Sequence, residues 1–68
     1  MKREIIFQVT QEADGGYTAE ALGEDIFTEA DTWEDLCVNA REAVAAYAFD
    51  QPEKPSVRLR LIRDEVLA

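Results

Sequence analysis

Along the first eleven residues, apolar and polar side chains alternate with a period of two. Ile5, Phe7 and Val9 fall on one side and Glu4, Gln8 and Thr10 on the other, with Ile6 the one apolar residue among the polar ones. Successive side chains of a strand point to opposite faces, so this period predicts a strand over residues 4–11. Glu12-Ala13-Asp14-Gly15-Gly16 interrupts it, and Asp-Gly-Gly supplies the positive-φ positions that a tight hairpin connection needs. The alternation resumes over residues 17–22, with Tyr17, Ala19 and Ala21 on one face and Thr18, Glu20 and Leu22 on the other. The small alanines leave room for a helix to lie close. Gly23-Glu24-Asp25 makes a second turn and residues 26–30 a third antiparallel strand, which completes a meander.

The period then changes. Asp31-Thr32-Trp33-Glu34-Asp35 places an oxygen-bearing cap three residues ahead of an acid, whether Asp31 or Thr32 is the cap. Glu34 and Asp35 also suit the positive end of a helix. Trp33, Leu36, Cys37, Ala40, Ala43, Val44, Tyr47 and Ala48 recur at spacings of three and four, which predicts a helix of about five turns with one apolar stripe. Glu34, Asp35, Asn39, Arg41 and Glu42 form its polar side. Val38, Ala45 and Phe49 lie about 180° from the Ala40 line, as a second, narrower apolar strip. That strip reads either as a contact site or as residual apolar surface that needs no explanation. Pro52 and Pro55 end the helix in an extended linker. Residues 57–63 form a last strand, with Val57, Leu59 and Leu61 opposite Arg58, Arg60 and Ile62. The tail, residues 64–68, carries no pattern that assigns it a state.

The order β-β-β-α-β implies an α+β fold of two layers, an antiparallel sheet with one helix packed on one face. The other face carries Ile6, Leu22 and Ile62 among Glu20, Arg58 and Arg60. Apolar islands on an uncovered face are a common route to self-association, so Ile6, Leu22, Phe49 and Ile62 are the candidate contacts of a homo-oligomer, in the first instance a dimer.

Size strengthens that expectation. The 68 residues allow one domain, 1–68, and 47% hydrophobic with 32% charged residues is the balance of a folded chain. A domain this small buries only about 60% of its unfolded surface. With one cysteine, Cys37, and no histidine, neither an internal disulfide nor a Cys/His zinc site is open to a single chain. Oligomerisation is the remaining supplement. No apolar run approaches the roughly 18 residues of a membrane span, and Met1-Lys2-Arg3-Glu4 has no apolar signal core behind it, so a soluble, cytoplasmic protein without membrane contact is expected.

The net charge of −8 is unevenly spread: ten carboxylates and no basic residue lie between Arg3 and Arg41, whereas the chain from Arg41 onward is neutral. An acidic surface repels phosphate backbones and attracts a basic protein. The plainer reading is that the charge keeps a small domain in solution. Arg58, Arg60 and Arg63 have no interleaved aromatic residue, which argues against direct nucleic-acid binding and leaves them free to pair with Glu20 and Glu29 between subunits.

Candidate chemistry is sparse. Without histidine the usual nucleophilic triad is absent. Cys37, beside Leu36 in the apolar stripe, reads as a small core residue before a reactive thiol. Glu24-Asp25 and Glu34-Asp35 have sufficient roles at a turn and a helix start. Asp14-Gly15-Gly16 lacks the surroundings of a phosphate or calcium loop. Asp14, Glu20 and Glu29 are the one carboxylate set for a metal-dependent nuclease or other hydrolase. The expectation is a non-enzymatic protein with no catalytic, metal or cofactor-binding residues.

Asp14-Gly15-Gly16-Tyr17, then Ala30-Asp31-Thr32-Trp33-Glu34-Asp35, then Asn39-Ala40-Arg41-Glu42-Ala43 follow one another at spacings similar to those of the HicB antitoxin family. The resemblance covers nearly residues 4–50. Between the second and third strands the chain has Ala21 to Phe27 where family members carry a P-x-L-P-G-C-like segment, and it keeps the Leu22-Gly23 core. The resemblance implies a β-β-β-α-β, partial RNase H-like fold without nuclease activity, corresponding to the family's amino-terminal domain without its carboxy-terminal DNA-binding module. It also implies neutralisation of a small basic RNA-cleaving toxin, a HicA-like protein. On that view Glu20, Glu24, Asp25 and Glu29 are the candidate partner-binding residues. The alternative is an orphan oligomeric domain with a structural or ligand-binding role and no toxin partner.

Overall fold

A computed structural model describes residues 3–67. The elements are β1 (Glu4–Gln11), β2 (Tyr17–Ala21), β3 (Phe27–Ala30), α1 (Trp33–Tyr47) and β4 (Ser56–Ile62). They form an α+β fold in which a four-stranded sheet of order β3-β2-β1-β4 carries the helix on one face.

The sheet is mixed, which corrects the expectation of an antiparallel one. β1–β2 and β2–β3 are antiparallel, but β4 runs parallel to β1, with Phe7 beside Leu59. The cause is the helix. A chain that leaves one end of the sheet, crosses its face as a helix and re-enters at the other end must run in the direction it left. β4 therefore shares the direction of β3, and through β2 that of β1.

The two turns are made as expected. Gly15 (φ 96°) and Gly23 (φ 81°) take left-handed backbone conformations that a side chain would strain. Asp14 Oδ1 accepts from the Gly16 N–H at 3.0 Å, and the Gly15 N–H donates to the Glu12 carbonyl at 2.9 Å. β2 and β3 are one residue shorter than expected, although the Ala21 N–H still bonds to the Ile26 carbonyl at 2.9 Å, the next pair of the same register. Ile26 is buried and closes one end of the core. β4 lies one residue earlier than expected, where the Ser56 N–H reaches the Arg3 carbonyl at 2.9 Å.

Thr32, not Asp31, caps the helix: its Oγ1 accepts from the Asp35 N–H at 3.1 Å. The helix has 15 residues, nearer four turns than five, and ends on Ala48. Its last turn contains no basic residue, and Lys54 of the linker fills that role, its Nζ donating to the carbonyls of Ala48 (2.8 Å) and Phe49 (3.0 Å).

The core is the overlap of two periods. Ile5, Phe7 and Val9 from β1 and Ala19 and Ala21 from β2 are buried with Leu36, Ala40 and Val44 from α1. Tyr17 and Trp33 meet edge to face, ring centroids 5.5 Å apart, and fix the helix start to β2. Tyr47, placed in the apolar stripe by its spacing, is 41% exposed.

Leu36 is fully enclosed, so Leu36→Ala should cost about 2–5 kcal/mol through the cavity it leaves. That is a large part of the total stability of a domain this small. Chemical denaturation should show the midpoint falling sharply; a midpoint equal to wild type would mean that this face of the helix is not the packed one.

Candidate functional site

The acidic residues expected to act together are divided between two ends of the molecule and its outer face. At one end, the β2–β3 turn carries Glu24 and exposed Asp25. Glu24 is committed internally: its carboxylate accepts from the Arg3 guanidinium and from the Tyr47 hydroxyl. Arg3 also reaches Gln51 Oε1 at 3.4 Å, so one network ties the start of β1, the second turn and the end of the helix. The Tyr47 and Arg3 hydrogen bonds hold the Glu24 carboxyl below its ordinary value, and the same bonds raise the Tyr47 phenol and the Arg3 guanidinium.

At the opposite end, the β1–β2 turn and the end of β3 surround a cleft of about 350 Å³ bordered by Glu12, Asp14, Glu29 and Asp31. Among the described residues, no cation lines it. Glu12 accepts from Thr18 Oγ1 at 3.1 Å, and the Glu29 carbonyl accepts from Asn39 Nδ2 at 3.0 Å, so both strands are braced here. The helix start extends the acidic surface with exposed Glu34 and Asp35. Glu29 alone of the expected partner-binding residues lies in this group. Glu12 and Asp31 were missed because their proximity depends on the Tyr17–Ala30 register, which no local pattern encodes.

Among the described residues, no three Asp, Glu or Cys side chains are placed to hold a metal ion. Asp14 and Glu29 border the cleft, while Glu20 lies outside it in the register row of Gln8 and Phe27.

The sheet's outer face takes its order from the registers. One row runs Phe27–Glu20–Gln8–Arg60 and the next Glu29–Thr18–Thr10–Ile62. In a third, Ile6 lies beside Arg58, and Leu22 donates its N–H to the Ile6 carbonyl. Ile6, Leu22 and Ile62 thus share this face. Phe49, 77% exposed, lies just past the helix end and does not join them. Phe27, 60% exposed, does join them. Its signal was its place directly after Ile26, since neighbours along an extended chain turn to opposite sides.

On the helix side, an open, mainly apolar groove of about 470 Å³ runs between α1 and β4, with Cys37, Val44, Val57 and Leu59 in its lining and Arg41 and Lys54 as its cations. Cys37 is half-buried there. Among the described residues, no helix is long and apolar enough to cross a membrane.

Comparison with known proteins gives a family. The chain is 34% identical over 67 residues to a UPF0150 protein of Thermotoga maritima, covering 98% of this chain and 94% of that one. It is 43% identical over 53 residues to a UPF0150 protein of Archaeoglobus fulgidus, covering 78% of this chain and 77% of the relative. The chain belongs to the UPF0150 family, and neither relative's name states an activity. No family model matches it, and no solved structure does.

The Glu24 network gives stability a defined dependence on pH. Glu24 is more acidic folded than unfolded, so its contribution is present above the unfolded value and lost as pH falls through the folded one. Tyr47 acts on the other limb: its raised value gives a contribution present below the unfolded value and lost as pH rises through the folded one. Glu24→Gln should therefore lower the melting temperature near neutral pH, and the gap from wild type should narrow and close as pH falls below the ordinary carboxylate range. Thermal melts of both proteins across pH provide the check; a gap independent of pH would mean that the carboxylate charge adds nothing.

Proposed function

We propose that this chain is a non-enzymatic binding domain of HicB-like, antitoxin type, which self-associates and captures a small basic protein at the acidic end of its sheet. The observation that carries this reading is the cleft where Glu12, Asp14, Glu29 and Asp31 come together with no cation among the described residues of its lining. A surface of one sign raises the encounter rate with a partner of the other sign and weakens as salt screens it. The motif resemblance supplies the partner's class, a HicA-like RNA-cleaving toxin. Asp25 can add to the attraction from the other end, whereas Glu24 is engaged by Arg3 and Tyr47.

Titration of the chain with a purified HicA-like toxin should give a complex, suppress RNA cleavage and weaken as salt rises. Glu12→Lys with Asp31→Lys should raise Kd at least about tenfold, while Asp25→Lys should have a smaller effect. Absence of binding at low salt would defeat the antitoxin reading. The groove between α1 and β4 favours the alternative, an orphan oligomeric domain that binds a small ligand and has no toxin partner. A mainly apolar ligand that shifts the amide resonances of Val57 and Leu59, with no toxin binding, would select it.

A further inference from the structure

The sheet's outer face is patterned so that it matches itself. Its acids, Glu20 and Glu29, lie on β2 and β3, and its arginines, Arg58 and Arg60, lie on the far edge strand β4. Between them, β1 presents Ile6, Gln8 and Thr10, with Leu22 beside Ile6. Glu4, at the start of β1, is a further acid, paired with Arg58 at 3.1 Å, and Glu12 reaches the face at Thr18 Oγ1. Among the described residues, Arg60 has no ion-pair partner within the chain.

We infer that this face binds a second copy of the chain, sheet against sheet, about a two-fold axis parallel to the strands. The inference rests on the self-association in the function proposed above and specifies its surface. Such an axis exchanges left for right while keeping position along the strands. β4 of one copy then lies over β3 of the other, and β1 over β2. Leu22 meets the Ile6 position of the second copy, and Ile6 meets Leu22, which gives the contact an apolar centre. Arg60 of each copy lies over Phe27 of the other, with Glu20 and Glu29 to either side. The guanidinium thus gains an aromatic face and two carboxylates together. Aligned sheets pack at about 10 Å, within reach of side chains of this length.

The other symmetric route is less favourable. Pairing β4 with β4 edge to edge would set Arg58 and Arg60 against the same two residues of the second copy, and like charges directly opposite destabilise a strand pair. The arginines defend the edge and complement the face.

The test is the solution mass of the full chain by light scattering, with circular dichroism to check that each variant is folded. Wild type should have a dimer's mass. Glu20→Arg with Glu29→Arg should dissociate it, as should Arg58→Glu with Arg60→Glu, and an equimolar mixture of the two variants should restore the dimer. Leu22→Asp, at a site already 46% exposed, should dissociate it without charge exchange. A monomeric wild type would overturn self-association together with this face. A dimer that persists in all three variants would overturn the face alone and move the contact to the helix side, where Val38 and Phe49 are exposed. Tighter association of the Arg58/Arg60 variant would overturn it in favour of the β4 edge.

Discussion

β1 is the element on which the others depend. It pairs along both edges, with β2 and with β4, and it presents Ile5, Phe7 and Val9 to the helix, all essentially without solvent contact. No other strand is bonded on both sides and also supplies three buried apolar side chains. The helix can pack only because β2, next to it, contributes Ala19 and Ala21, whose small side chains allow close approach. Leu36, Ala40 and Val44 fill the space above them. The arrangement leaves a strip along β4 less covered, and this is where the apolar groove lies.

The parts of the fold legible in the sequence were those written in local periodicity. The period-two alternation of β1 and the three-and-four spacing from Trp33 onward each have one physical solution, and the elements formed where expected. Thr32 and Asp31 were equivalent as caps by type; geometry chose Thr32 because its Oγ1 reaches the Asp35 amide. The direction of β4 was not legible. A half-buried strand shows the same alternation whether its neighbour runs parallel or antiparallel, and only the course of the crossover decides between them.

The candidate site divides along the same line. That Glu29 is exposed followed from alternation, but that it borders the cleft containing Glu12, Asp14 and Asp31 follows from strand register. Tyr47 shows the converse. Its spacing assigned it to the core stripe, yet it lies where the helix runs out toward the second turn, and its hydroxyl finds Glu24 instead. Lys54 was likewise invisible as a helix cap, because its contact with Ala48 depends on how the two-proline linker folds back. Family membership adds relatives of nearly the same length but no chemistry.

The parallel pairing of β1 with β4 also bears on how the chain reaches its folded state. Every partner along that ladder is separated by 52 positions, and the ladder cannot start before the helix and linker have brought the chain back. Contacts of such long range are slow to form, because the loop must close before they repay its entropy. During synthesis, the meander and most of the helix can emerge while one edge of β1 still lacks its neighbour. That edge, hydrogen-bonding and backed by Ile5, Phe7 and Val9, is then a template for another nascent chain. The strand that leaves the ribosome after the helix is the one that closes it.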